Sequence, residues 1–118
     1  DIKNILLLGT KYSMEKDFLK AYLRQYFGIN SIVPDKEERE QLNSVIYHEL
    51  CLGKVNSSSQ KFFLKIIDKY ASMVDATVLG CTELAMFFHH KKIGHKNRIY
   101  DTTKLHAEFL ANLSIAEA

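Results

Sequence analysis

Apolar positions in this chain come in blocks, some continuous and some at helical spacing. Ile5 to Leu8 is an unbroken apolar run, which predicts a strand over residues 3–8 buried on both faces and ending at Gly9-Thr10. Phe18, Leu19, Tyr22, Leu23 and Tyr26 recur at helical spacing and predict a helix over about 14–27. Ser13 is its expected cap, Asp17 lies in its first turn, and Gly28 stops it. Residues 29–33 read as a second strand, closed by Pro34 because proline cannot continue a central ladder.

Asp35 then precedes a charged turn, Lys36-Glu37-Glu38-Arg39-Glu40, whose acidic members suit a helix start. The inward stripe of that helix is Leu42, Val45, Ile46 and Leu50, and Gly53 ends it. A polar loop, residues 56–59, leads into a helix reaching about Met73, capped by Ser58 or Ser59, with Phe62, Phe63, Ile66, Ile67 and Tyr70 inward. Asp75 introduces a buried strand over 76–79 that turns at Gly80-Cys81-Thr82 and launches a short helix bearing Leu84, Ala85, Phe87 and Phe88. A polar loop over 91–97, a strand over 98–100 and a helix opened by Asp101-Thr102-Thr103 complete the pattern, with Leu105, Phe109, Leu110 and Leu113 as the last stripe.

Four apolar strands alternating with helices imply an α/β domain, a three-layer sandwich around a mainly four-stranded parallel sheet. Right-handed crossovers then place helices on both faces. The strand ends fall at Gly9-Thr10, Val33-Pro34, Gly80-Cys81 and Tyr100-Asp101. Open α/β sheets bind ligands at this edge, so Thr10, Cys81, Thr82 and Asp101 are expected on one rim.

Composition narrows the function classes. At 118 residues, 47% hydrophobic and 25% charged, the chain is one folded domain rather than a disordered segment. A net charge of +2 with no basic block gives no footprint for nucleic acid, and no apolar run is of membrane length. The two cysteines, Cys51 and Cys81, have no framework spacing, so free thiols and a cytoplasmic location are expected. His89 and His90 are adjacent and His95 lies beyond Gly94, a spacing that builds no zinc site, so no metal is expected. The chain lacks an initiator methionine and enters a strand almost at once, which suggests a fragment.

Cys81 is the one residue with chemistry at a strand end. Next to a helix start its thiolate is favoured by exposed backbone N–H groups, although a small residue filling a tight turn reads equally well. Val78-Leu79-Gly80-Cys81-Thr82-Glu83-Leu84 resembles the second cysteine motif of the aspartate/glutamate racemase family. The resemblance runs along most of the chain. Leu7-Leu8-Gly9-Thr10-Lys11-Tyr12-Ser13 is similar to a family stretch that usually has threonine in place of Ser13. Val33-Pro34-Asp35 and Glu49-Leu50-Cys51-Leu52-Gly53-Lys54 match a proline-acidic opening and an EL-x-x-G ending, and Asp101-Thr102-Thr103-Lys104-Leu105-His106-Ala107 matches the closing motif. Ser59-Gln60 departs from the family's frequent serine-arginine, so anchoring by that arginine is not expected.

The resemblance implies two similar α/β halves, each bringing one cysteine to a shared cleft, and no pyridoxal phosphate or other cofactor. A base on one face of the substrate takes the α-proton and a thiol on the other returns one. By resemblance, Cys81 and Thr82 would be catalytic, and Thr10, Ser13, Lys54, Glu83, Asp101 and His106 would meet an amino-acid substrate. Thr10 and Ser13 also read as turn and cap residues, Lys54 as a surface lysine, and Asp101 as a helix cap. Family members with glutamate after Cys-Thr resemble aspartate or broad amino-acid racemases, and those with histidine resemble glutamate racemases. Glu83 therefore points to aspartate, although its charge opposes a neighbouring thiolate.

The family's first half, with its glycine-rich strand and Asn-Thr-x-His stretch, has no counterpart here, and Cys51 lies on a helix away from any strand end. The chain thus resembles the carboxyl-terminal half alone, expected to be inactive without an N-terminal racemase half. The closing helix tends, in the family, to pack toward that partner. Two alternatives stand beside this: a decarboxylase or isomerase of the same superfamily using Cys81 as a lone acid, or a non-catalytic assembly domain, a homodimer pairing through the exposed rim.

Overall fold

The apolar runs become four parallel strands: β1 (Asn4–Leu8), β2 (Asn30–Ile32), β3 (Ala76–Leu79) and β4 (Arg98–Asp101), ordered β2-β1-β3-β4. The computed structural model describes residues 2–89 and 98–101. The loop over 91–97, His90, His95, Thr102, Thr103, His106 and the closing helix lie outside the described residues.

Register sorts the strand side chains onto two faces. Ile5 pairs with Ala76 and Leu7 with Val78, whereas Leu6 pairs with Thr77 and Leu8 with Leu79. Because side chains alternate along a strand, Leu6, Leu8 and Leu79 share one face and Ile5, Leu7, Ala76 and Val78 the other. The first set packs into one cluster with Met14, Leu42, Ile46, Phe63, Ile67 and Phe87. These come from α1 (Lys11–Glu15), α3 (Lys36–His48), α4 (Ser57–Tyr70) and α5 (Met86–His89). Phe63 stacks on Phe87 with ring centroids 5.0 Å apart. The second face meets α2 (Asp17–Phe27), and Leu19, Leu23, Ala76, Val78 and Tyr100 line an apolar groove of about 350 Å³ between them. Helices on both faces of a parallel sheet make the expected three layers.

The direction of the crossovers follows from strand order. β1 leads outward to β2 on one side, and β3 leads outward to β4 on the other. The connection from β2 to β3 passes over β1 and carries α3 and α4 on the face opposite α2, as right-handed crossovers in opposite directions require.

Four local expectations are corrected. The helix expected over 14–27 is two helices, because Lys16 adopts extended backbone (φ −80°, ψ 139°) between α1 and α2. Thr10, not Ser13, caps the first of them: its hydroxyl accepts from Ser13 N–H at 3.2 Å. On α2, Leu19 and Leu23 are half-buried and line the groove against the sheet, whereas the aromatic members of the same stripe face solvent. Phe18 is 75% exposed, Tyr26 64% and Tyr22 50%. Asn56, not Ser58 or Ser59, caps α4, accepting from Ser58 N–H at 3.0 Å. Ser59 is buried instead, and its hydroxyl donates to Glu49 Oε1 at 2.7 Å. The helix expected to run into Gly53 ends at His48, followed by a 3₁₀ turn over Leu50–Leu52, and Gly53 adopts φ 75° to close that turn.

Charges fasten the ends of the elements. Asp35 and Glu38 form a reciprocal capping box at the start of α3, with Glu38 N–H donating to Asp35 Oδ1 at 2.9 Å and Asp35 N–H to Glu38 Oε1 at 3.1 Å. Tyr70 Oη donates to Glu38 Oε1 at 2.7 Å, which joins α4 to that cap. At the amino ends of the strands, Asp75 Oδ2 accepts from Lys3 N–H and Asn4 N–H, both at 2.9 Å. Those two bonds hold the Asp75 carboxyl below its ordinary range.

A carboxyl depressed in the folded state adds stability above its unfolded pKa, and that stability is lost as pH falls through the folded value. Asp75→Asn keeps the shape and removes the charge. It is expected to lower Tm at pH 7 by roughly a few degrees and to flatten the fall in stability below about pH 4. Thermal melts from pH 2 to 7 check this. Phe63→Ala is expected to cost about 3–5 kcal/mol and Phe18→Ala within about 0.5 kcal/mol, read from urea midpoints at constant slope.

Candidate active site

The rim of the sheet is shaped where β1 and β3 leave it side by side. Leu8 and Leu79 are register partners, and Gly80 N–H donates to Leu8 O at 2.7 Å just beyond. The next residues are Gly9 and Gly80, where even a Cβ would be in close contact with its surroundings. A Cβ at Gly9 would lie 3.2 Å from Ser13 Cβ, and one at Gly80 would lie 3.4 Å from Leu8 O and from Leu7 Cδ1. The connections out of β1 and β3 then run to opposite sides. This is the switch point of an open α/β sheet, where such folds form a binding crevice.

Each strand delivers a hydroxyl or thiol there. After β1, Thr10 caps α1, and Thr10 Oγ1 lies 3.0 Å from Ser13 Oγ. After β3, Cys81 takes extended backbone (φ −136°, ψ 127°) and opens a 3₁₀ turn over Thr82–Ala85 that runs into α5. The outer strand β4 brings Asp101 level with Leu79, half-buried at the same rim.

Glu83 folds back onto its own turn. Cys81 Sγ–H donates to Glu83 Oε2 at 2.8 Å, and Thr82 Oγ1–H donates to the same oxygen at 2.9 Å. These bonds hold the Glu83 carboxyl below its ordinary range, the Cys81 bond contributing most. Burial, together with that carboxylate, pushes the Cys81 thiol up to about 12. The thiolate expected at a helix start is thereby corrected. Cys81 precedes a four-residue 3₁₀ turn, and the backbone N–H groups of Glu83 and Leu84, which favour the anion, are outweighed by burial and the adjacent negative charge. At neutral pH this cysteine is a thiol.

The other expected residues are placed unevenly. Thr10, Ser13, Cys81, Thr82, Glu83 and Asp101 all sit at the carboxyl rim. Lys54 is exposed just beyond the Leu50–Leu52 turn, a turn that packs against Thr82–Ala85, and Lys54 N–H donates to Glu49 O at 2.9 Å. Cys51 is exposed in that turn. His106 lies outside the described residues. Among the described residues no group of histidine, cysteine, aspartate or glutamate side chains is arranged to hold a metal, and no helix is long and apolar enough to cross a membrane. Sequence reasoning missed the carboxylate as the thiol's acceptor, although the Cys-x-Glu spacing across a turn start was the available signal.

The comparisons with known proteins agree with this geometry. The family model for Asp/Glu/hydantoin racemase matches residues 1–110. A candidate Asp/Glu racemase from Yersinia pestis superposes with a TM-score of 0.87 at 34% identity, covering 97% of this chain and 49% of that one. An aspartate racemase homologue from Pyrococcus horikoshii gives a TM-score of 0.84 at 32% identity over 95% of this chain and 48% of that one. The aspartate racemase of Picrophilus torridus gives 0.61 at 28% identity over 85% and 40%. The chain therefore spans about half the length of the first two structures it matches. With Cys81 just beyond the β1–β3 switch and the match over residues 1–110, this chain belongs to the Asp/Glu/hydantoin racemase family.

Proposed function

We propose that this chain is the carboxyl-terminal half of a cofactor-independent amino-acid racemase of the aspartate type, working in the cytoplasm and inactive without an N-terminal racemase half. The observation that carries the proposal is a half-buried thiol, hydrogen-bonded to a carboxylate, at the switch point of the sheet. The half-length coverage of the matched structures supports the need for a companion half.

In this reading Cys81 Sγ–H is the proton donor. A base on the other face of the substrate, supplied by the companion half, takes the α-proton and leaves a carbanion. Cys81 delivers its proton to the opposite face and becomes a thiolate. In the reverse direction that thiolate takes the α-proton and is restored to the thiol. Glu83 keeps Cys81 protonated between turnovers, because a thiolate beside that carboxylate is repelled. Thr82, Thr10 and Ser13 offer hydroxyls to a substrate carboxylate, and Lys54 a cation from the neighbouring loop. Asp101, half-buried at the same rim, orients the substrate amino group in this reading.

One observation also favours a second reading. A cysteine held as a thiol is suited to be a lone acid, as protonation of a carbanion after decarboxylation requires.

Alkylation separates the two cysteines. Thiolate is the nucleophile, so a raised pKa slows reaction at neutral pH and the rate climbs with pH toward about 12. With iodoacetamide at pH 8, peptide mass spectrometry is expected to show exposed Cys51 modified first and Cys81 far behind. Glu83→Gln removes the repelling charge and is expected to speed Cys81 about tenfold, one pKa unit being a factor of ten. Equal rates at both cysteines, or a slower Cys81 in Glu83→Gln, count against the arrangement.

Turnover is tested by α-proton exchange of L-aspartate in deuterated water, followed by NMR. The isolated chain is expected to give none above background, and a two-half enzyme carrying it is expected to exchange. Cys81→Ser in that enzyme should cut the rate by about 10²–10⁴-fold. Substantial exchange by the isolated chain overturns the half-enzyme reading. Carbon dioxide release from an arylmalonate without aspartate exchange transfers support to the lone-acid reading.

A further inference from the structure

A second concavity, of about 330 Å³, opens between α2 and the edge strand β2, lined among others by Lys20, Arg24, Asn30 and Ser31 with Asp17 beside them. It occupies the first residues of β2, whereas the Cys81 crevice lies beyond the carboxyl ends of the strands. Its chemistry is separate from that of the crevice.

Three observations converge on the ligand. Ser31 pairs with Ile5 in the β1–β2 register, so its side chain lies on the Ile5 face of the sheet, the face covered by α2. Its hydroxyl oxygen is buried and has no hydrogen-bond partner, which costs stability unless something supplies one. Lys20 and Arg24 stand four residues apart on α2 and therefore share a helix face. Among the described residues Lys20 pairs with one carboxylate, Asp17 at 3.7 Å, whose side chain is 95% exposed, so solvent screens that pairing. Arg24 makes no ion pair among the described residues. Two cations against one carboxylate leave the concavity net positive. A guanidinium fork, an ammonium and a free hydroxyl together suit the oxygens of an anion.

We infer that this concavity is a binding site for a small anion presenting phosphate or carboxylate oxygens. Arg24 grips two of the oxygens, Lys20 supplies charge, and Ser31 turns its hydroxyl, now buried without a partner, into the concavity to donate to a third. The volume falls within the range of small-ligand sites, about 300–1,000 Å³. A phosphate ester and a dicarboxylate share this chemistry, and the experiment distinguishes them. The inference stands apart from the proposed racemase activity and survives its failure.

Backbone amide NMR spectra of the 118-residue chain, titrated with inorganic phosphate, with succinate, and with sodium chloride at matched ionic strength, test it. Saturable shifts centred on Arg24, Asn30 and Ser31 are expected with phosphate or with succinate, but not with chloride. Saturation by phosphate alone assigns the site to phosphate groups, and by succinate alone to dicarboxylates. Arg24→Gln is expected to weaken binding about tenfold, the scale of one charge-assisted hydrogen bond, and Ser31→Ala by a smaller factor. Lys65→Gln, on the exposed side of α4, should leave it unchanged. Lys20→Gln replaces Arg24→Gln if the latter perturbs amides beyond the concavity. Shifts that track ionic strength alike for all three salts, or saturation undiminished in these variants, overturn the inference.

Discussion

Gly9 and Gly80 sit where two neighbouring strands must leave the sheet in opposite directions. Backbone there approaches so closely that a Cβ on either residue meets atoms at 3.2–3.4 Å. The amide of one strand's exit binds the carbonyl of the other at 2.7 Å, so the two exits are locked together. Everything at the rim inherits its position from that lock. It sets the first turn of α1, with Thr10 and Ser13, beside the turn that carries Cys81, Thr82 and Glu83. A side chain at Gly9 would press on Ser13 in the first turn of α1, and one at Gly80 would lie against Leu7 and the Leu8 carbonyl.

The sheet behind the rim is supported unequally. On one face Leu6, Leu8 and Leu79 join a single cluster with α3, α4 and α5, closed by the Phe63–Phe87 stack. Polar groups brace the same side, where Tyr70, Lys69, Asp35 and Glu38 link α4 to the start of α3. The 3₁₀ turn after Cys81 belongs to this densely packed side through Leu84 and Ala85. On the other face α2 leaves an apolar groove and turns Phe18, Tyr22, Tyr26 and Phe27 to solvent. The cysteine is therefore mounted on the rigid layer of the molecule, as a group that must hold a fixed orientation requires.

Much of this is legible in the sequence, and the reasons for success and failure differ by scale. The buried strands announce themselves because a parallel strand covered on both faces needs a near-continuous apolar run, as Ile5–Leu8 has and as Ala76–Leu79 has apart from Thr77. Alternation with helices then implies the sheet and its rim, and the resemblance around Cys81 leads to the right family. What fails is decided by single hydrogen bonds. Thr10 and Ser13 are both able caps, and nothing in composition tells which hydroxyl meets which amide. The same holds for Asn56 against Ser58 and Ser59. Helical spacing in Phe18, Tyr22 and Tyr26 locates a helix correctly but not its cover, since spacing shows that a face is apolar and not what lies against it. The thiolate reading of Cys81 fails because burial and the adjacent Glu83 carboxylate outweigh the backbone N–H groups of the turn, and spacing shows neither the burial nor where the Glu83 side chain folds.

That last difference bears directly on chemistry. A helix start would make Cys81 a standing base, able to take a proton but with none to give. A half-buried thiol bound to a carboxylate is the opposite: it holds a proton ready and resists losing it until an acceptor with developing negative charge comes within reach of Sγ. Glu83 serves this arrangement twice, by accepting the thiol hydrogen bond that aims Sγ and by opposing the thiolate electrostatically. In a two-sided proton transfer only one side should be charged before the substrate reacts, because two thiolates facing across a narrow cleft repel each other and two thiols offer no base. A half that fixes its own cysteine as the acid leaves the base to the opposite side. In the proposed two-half reading, the short Cys81–Glu83 contact makes Cys81 the acid of the resting pair.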